Sequence, residues 1–167
     1  MNARTIVIFV ILLCGTFVVG FVASYLSPYL GLGSLWVTST SLEEESIDGI
    51  RLGDSFHENK WKMKYGEYEE LDIDLYKRSL DFEPISVSTD QNDQIVYLSA
   101  SSPEITTSRR VHVGNTMDDV IRAYGKDYFK EMEQGNNKVV YLDRDKGMRL
   151  KFWEYQGEVL EIRMMMD

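Results

Sequence analysis

Val111–Gly125, VHVGNTMDDVIRAYG, is the stretch on which the reading of the fold turns. Val111 and Val113 alternate with His112 as in a short strand, and Gly114-Asn115 marks a turn. Thr116 is placed to cap a helix, and Asp119 favours the positive end of its dipole. Met117, Val120, Ile121 and Tyr124 recur at i, i+3, i+4 and i+7, which gives that helix one apolar face. Gly125 stops it. Three strand-like runs follow, Lys138–Leu142, Met148–Tyr155 and Val159–Met164, with turns at Arg144–Gly147 and Gln156-Gly157.

A looser copy lies upstream at Ile50–Gly66, IRLGDSFHENKWKMKYG. Gly53 matches Gly114, Ser55 matches Thr116, and Tyr65-Gly66 matches Tyr124-Gly125. Ser55-Phe-His-Glu58 reads as a capping box. The helix it opens has little amphipathic character, so Phe56, Trp61 and Tyr65 must carry its packing. Leu71, Ile73 and Leu75 then alternate with Asp72, Asp74 and Tyr76, as in a half-buried strand. Ser79–Ser88 reads as a second strand interrupted at Pro84, and Gln94–Ser99 as a third.

The N-terminal run Ile6–Leu26 carries no charge and, at about 1.5 Å per helical residue, would span about 30 Å, the thickness of a bilayer core. Arg4 precedes it and Glu43–Glu45 follow, so the positive-inside bias puts the N-terminus in the cytoplasm and the rest outside. The alternative is secretion after cleavage of a signal peptide. The organisation expected is an anchor or uncleaved signal over 1–27, a linker over 28–47, and repeats over 48–100 and 101–167. The fold class expected is α+β: an N-terminal transmembrane helix, then two helix-plus-antiparallel-sheet repeats.

The net charge is −9, and Arg4 is the only charged residue before Glu43, so the rest of the chain carries −10. Such a surface lacks the Lys and Arg that nucleic acid phosphates require. The single cysteine, Cys14, lies in the apolar run, which leaves no disulfide and no thiolate metal site for the folded part. The two histidines, His57 and His112, are too few for a closed zinc site, and the acids at 67–74 lack the spacing of a calcium loop. No metal, no cofactor and no catalytic constellation is therefore expected.

The pattern V-x-V-G-x-T-x-x-x-V-x-x-x-Y-G, carried here by Val113, Gly114, Thr116, Val120, Tyr124 and Gly125, resembles the SmpA/OmlA (BamE-like) family. Two such units in tandem are similar in layout to beta-lactamase inhibitor proteins. The resemblance implies helices on one face of an antiparallel sheet and an opposite face free for a protein partner. It covers the second copy well and the first poorly, and the family's lipobox is missing, since Leu13 precedes Cys14 where a small residue is required.

Strand parity then names the open face. Met148, Leu150 and Phe152 point toward the helix, leaving Arg149, Lys151 and Trp153 outside. In the last strand Leu160, Ile162 and Met164 are expected inside, with Glu161 and Arg163 outside. In the first copy Asp72, Asp74 and Tyr76 are outside. The candidate partner-binding set is thus Trp153, Arg149, Lys151, Arg163, Tyr76, Asp72 and Asp74, with Trp153 and Tyr76 as anchors. The function expected is a membrane-anchored, extracytoplasmic, non-catalytic interaction module. The alternative is a small-ligand sensor or enzyme using a cleft between the repeats.

Overall fold

The computed structural model describes residues 32–133 and 135–167. Eight strands form one antiparallel sheet: β1 (Glu69–Glu70), β2 (Arg78–Asp81), β3 (Ile85–Thr89), β4 (Ile95–Ala100), β5 (Phe129–Glu133), β6 (Asn136–Asp143), β7 (Met148–Tyr155) and β8 (Glu158–Met166). Their spatial order is β1-β2-β3-β4-β8-β7-β6-β5. Each half is a helix followed by a four-strand meander, and the last strands of the two halves, β4 and β8, pair in the middle of the sheet. The helices are α1 (Glu58–Tyr65) and α2 (Met117–Tyr124).

The two glycine turns are held in the same way. Gly53 donates its amide to Ile95 and Ile95 donates back to Asp54, at 2.7 and 2.9 Å. Gly114 donates to Val159 and Val159 donates back to Asn115, both at 2.8 Å. Each turn thereby clips onto the first part of its own half's last strand. Both helices end on a glycine, Gly66 at φ 92° and Gly125 at φ 91°, where a side chain would be strained.

The helix starts differ. At α2, Thr116 accepts from the Asp119 amide while the Asp119 carboxylate accepts from the Thr116 amide, a complete capping box. At α1 the helix begins only at Glu58, and His57 stands at the cap without a side-chain bond. Ser55 instead bridges to Gln94, because the Phe56 amide bonds Asp93 and the Phe56 ring is buried against Trp61 at 5.5 Å.

The core fills the helix face of the sheet. Trp61 lies 5.4 Å from Phe82 in the first half, and Tyr124 lies 5.2 Å from both Tyr141 and Phe152 in the second. Leu80, Val87, Leu98, Met164 and Leu150 continue the layer across the sheet. Leu42 and Ile47, within the expected linker, are fully buried in the same cluster.

These findings correct the expected fold class. The described chain is largely β, a single eight-stranded sheet with two eight-residue helices, rather than α+β with a transmembrane helix at its start. No helix among the described residues is long and apolar enough to cross a membrane. The run over 6–26 lies outside the described residues. The single-pass placement and the membrane as partner therefore rest on no described helix and are not carried forward. Two local readings also change. Residues 71–75 form an irregular loop rather than a strand, and the Ser79–Ser88 run is a hairpin turning at Glu83, φ 69°. A register shift between Trp153 and Glu154 puts Val159 in the core and leaves Leu160 half exposed.

Candidate functional site

The face opposite the helices divides into two regions. On the β5–β8 side, cross-strand register aligns Glu131, Lys138, Trp153 and Glu161 in one row and sets Lys151 opposite Arg163. Glu131 receives Lys151 at 3.0 Å and Arg149 at 3.8 Å, with Lys138 at 3.9 Å. Glu133 pairs with Lys138, Asp167 pairs with Arg149, and Arg163 grips both oxygens of Glu161 at 2.8 Å.

Trp153 lies inside this network. The Lys138 ammonium sits 4.4 Å from its ring and the Arg163 guanidinium 4.2 Å, so the indole is only 6% exposed. A surface anchor must present its area to a partner; here the two cations already cover it. Lys138 is itself 1% exposed, and burial, reinforced by the charge of Lys151, pulls its ammonium down to about 8. Parity places Arg149, Lys151 and Arg163 on this face, each already holding a carboxylate.

On the β2–β4 side the face is hydroxyl-rich, with Asp81 at its β2 edge. Ser79 and Ser88 lie opposite each other, as do Ser86 and Ser99, across three adjacent strands. The loop after β1 folds over them and closes a hollow of about 340 Å³. Leu71, Ile73 and Tyr76 form its outer wall, Tyr97 stands beside Tyr76 at 6.0 Å, and Glu161 and Arg163 close the end at β8. Burial pushes the phenols of Tyr76 and Tyr97 up, so both are neutral hydroxyls. Leu71, Ile73 and Leu75 remain 37, 42 and 80% exposed along the rim.

The structure therefore separates the expected set. Tyr76 and Arg163 meet at the hollow; Asp72 and Asp74 lie exposed on the loop beside it; Arg149, Lys151 and Trp153 belong to the ion network. Tyr97 and the serines were missed by sequence reading, although ISVST at 85–89 carries their signal: hydroxyls alternating with Ile and Val. Neither histidine belongs to the face: His57 caps α1, and His112 bonds the Val113 carbonyl at 2.8 Å. Among the described residues, no group of three or more His, Cys, Asp or Glu could hold a metal ion.

No family model and no curated protein matches this chain. Among solved structures it is similar to an extracellular protein containing a SCP domain from Bacillus anthracis str. Ames, at 10% identity and a TM-score of 0.39. That match covers 71% of this chain and 47% of the other, so the chain spans about half the length of the protein it matches.

Proposed function

We propose that this chain is a non-catalytic interaction module that meets a protein partner on the open sheet face, at the β2–β4 end. The observation that carries this reading is the rim of Leu71, Ile73 and Leu75, three exposed apolar side chains gathered on one loop beside the hollow. An exposed apolar strip with neighbouring tyrosines is the composition of an interface centre. Glu69, Glu70, Asp72 and Asp74 border the strip. The partner is thus a protein that offers an apolar contact ringed by Lys or Arg, and its binding weakens with salt.

The test is capture of partners by the full chain in a mild detergent, comparing wild type with Leu75→Asp and with Asp72→Lys/Asp74→Lys. Leu75 is so exposed that its replacement spares the core. Loss of a captured, basic-surfaced protein in both variants supports the reading. Equal capture by wild type and Leu75→Asp rejects the rim. A second reading, a small-ligand site, is favoured by one specific observation: the hollow combines residues of both halves, since Glu161 and Arg163 reach it from β8.

A further inference from the structure

We infer that the hollow between the 71–76 loop and strands β2, β3, β4 and β8 binds a neutral, hydroxyl-bearing ring, a sugar unit of a saccharide. This assignment does not depend on the partner reading above. Its volume of about 340 Å³ falls at the small end of ligand pockets, roughly 300–1,000 Å³.

The floor asks for an acceptor. Ser79 and Ser88 share one hydrogen bond at 2.9 Å and are almost fully buried. Two hydroxyls bring two hydrogens, and the bond between them uses one. Among the described residues the second hydrogen has no further acceptor, and leaving it dry is costly. Ser86 donates to Asp81 and Ser99 donates to Glu161, so each oxygen keeps a lone pair for a ligand donor. The floor thus offers both donors and acceptors without net charge.

The walls exclude the other ligand classes. An anion would need a free cation, but Arg163, the guanidinium at the hollow, is held by both oxygens of Glu161. A cation would need a free carboxylate, and Glu161, the carboxylate that lines the hollow, is occupied by that same pair. An extended peptide gains its affinity from main-chain pairing at a sheet edge. This hollow lies on a sheet face, where the amides of β2–β4 are spent on one another. A wholly apolar group would bury the Ser79/Ser88 hydrogen unpaired. A pyranose has what remains: hydroxyls at its rim for the serines and C–H faces for Tyr76 and Tyr97.

The experiment is a titration of the full chain, in a sugar-free zwitterionic detergent, with N,N′-diacetylchitobiose, maltose or cellobiose to about 10 mM, followed by NMR; a Kd near 1 mM is then saturable. Acetyl-Leu-Phe-Leu-amide is the competing probe. At least one disaccharide should shift resonances of residues 76–99 and receive saturation from the tyrosine rings. Ser79→Ala/Ser88→Ala and, separately, Tyr76→Ala should each weaken it about tenfold. Leu75→Asp, outside the hollow, should leave sugar affinity unchanged even where it abolishes partner capture. Absence of shifts with all three sugars, binding of the peptide alone, or sugar binding unaffected by both hollow variants would overturn the assignment.

Discussion

Replacing Lys138 by Met should make this protein more stable at neutral pH, against the usual expectation for a lysine paired with two carboxylates. The Lys138 ammonium lies between Glu131, Glu133 and the Trp153 ring and is 1% exposed. Its pKa falls from 10.5 to about 8, first through burial and next through the charge of Lys151. The folded value lies below the unfolded one, so the native state disfavours the charge. Below pH 8 both states hold the proton and the full penalty applies, an upper bound of about 3 kcal/mol. Between pH 8 and 10.5 the unfolded chain still binds the proton that the native chain has released, so stability rises with pH. Methionine fills the stem's volume without the charge. Glu131 keeps Lys151 and Arg149, and Glu133 is half exposed, so neither acid is left dry. Removing one member of a buried pair is costly only where the other charge is left uncompensated, and here both acids keep cations or solvent, so relief of the buried ammonium dominates. Urea unfolding of both proteins from about pH 7 to 9.5 should show Lys138→Met ahead at pH 7, with the gap closing by ~2 kcal/mol. The upper limit avoids Tyr65, Tyr124 and Tyr141, whose phenols burial pushes up and whose stability contribution falls as pH passes 10. A variant weaker than wild type at pH 7, or a gap independent of pH, would refute this account.

Trp153→Ala should cost about 3–5 kcal/mol in urea unfolding, the loss typical of a buried aromatic, where a surface anchor would cost little. Thr116→Ala should cost about 1 kcal/mol by removing the α2 cap, seen as a lower unfolding midpoint with an unchanged denaturant slope. The Asp119 carboxyl in that cap is held below its usual range, first by the Thr116 hydroxyl and amide and then by Arg122. Its contribution is present above the unfolded value of 3.8 and is lost as pH falls through the folded one, so acid unfolding of Thr116→Ala should be shallower than that of wild type.

How much of this could be read from the residues depends on the range of the interaction that fixes them. The α2 cap, its apolar stripe and its closing glycine are all settled within fifteen residues, and the stretch 111–125 states them. The start of α1 is set from farther away: Phe56 is drawn down by Trp61 and by the Asp93 carbonyl, so the serine that matches a capping box is used in a bridge instead. The 71–75 alternation has the period of a strand. Period alone cannot supply a partner, and here the loop arches over β2 and β3, with its apolar side chains facing the hollow and solvent.

Trp153 shows the limit most clearly. Its parity is legible, since Phe152 must face the helices and its neighbour must then face away. Its exposure is not, because that depends on what stands beside it across the strands. Register places Lys138 directly opposite on β6 and Glu161 on β8; a slip of one residue along β6 would bring Asn137 or Val139 there and remove the cation. Nothing local to 148–155 sets that register, which follows from the turn at 144–147 and the core pairs Val139–Phe152 and Tyr141–Leu150. The same register that seals the tryptophan carries Arg163 and Glu161 to the border of β4, where they neutralise each other and close one end of the serine floor. The charged half of the face is thereby spent on its own cohesion, and the open chemistry is left at the half that carries hydroxyls and tyrosines.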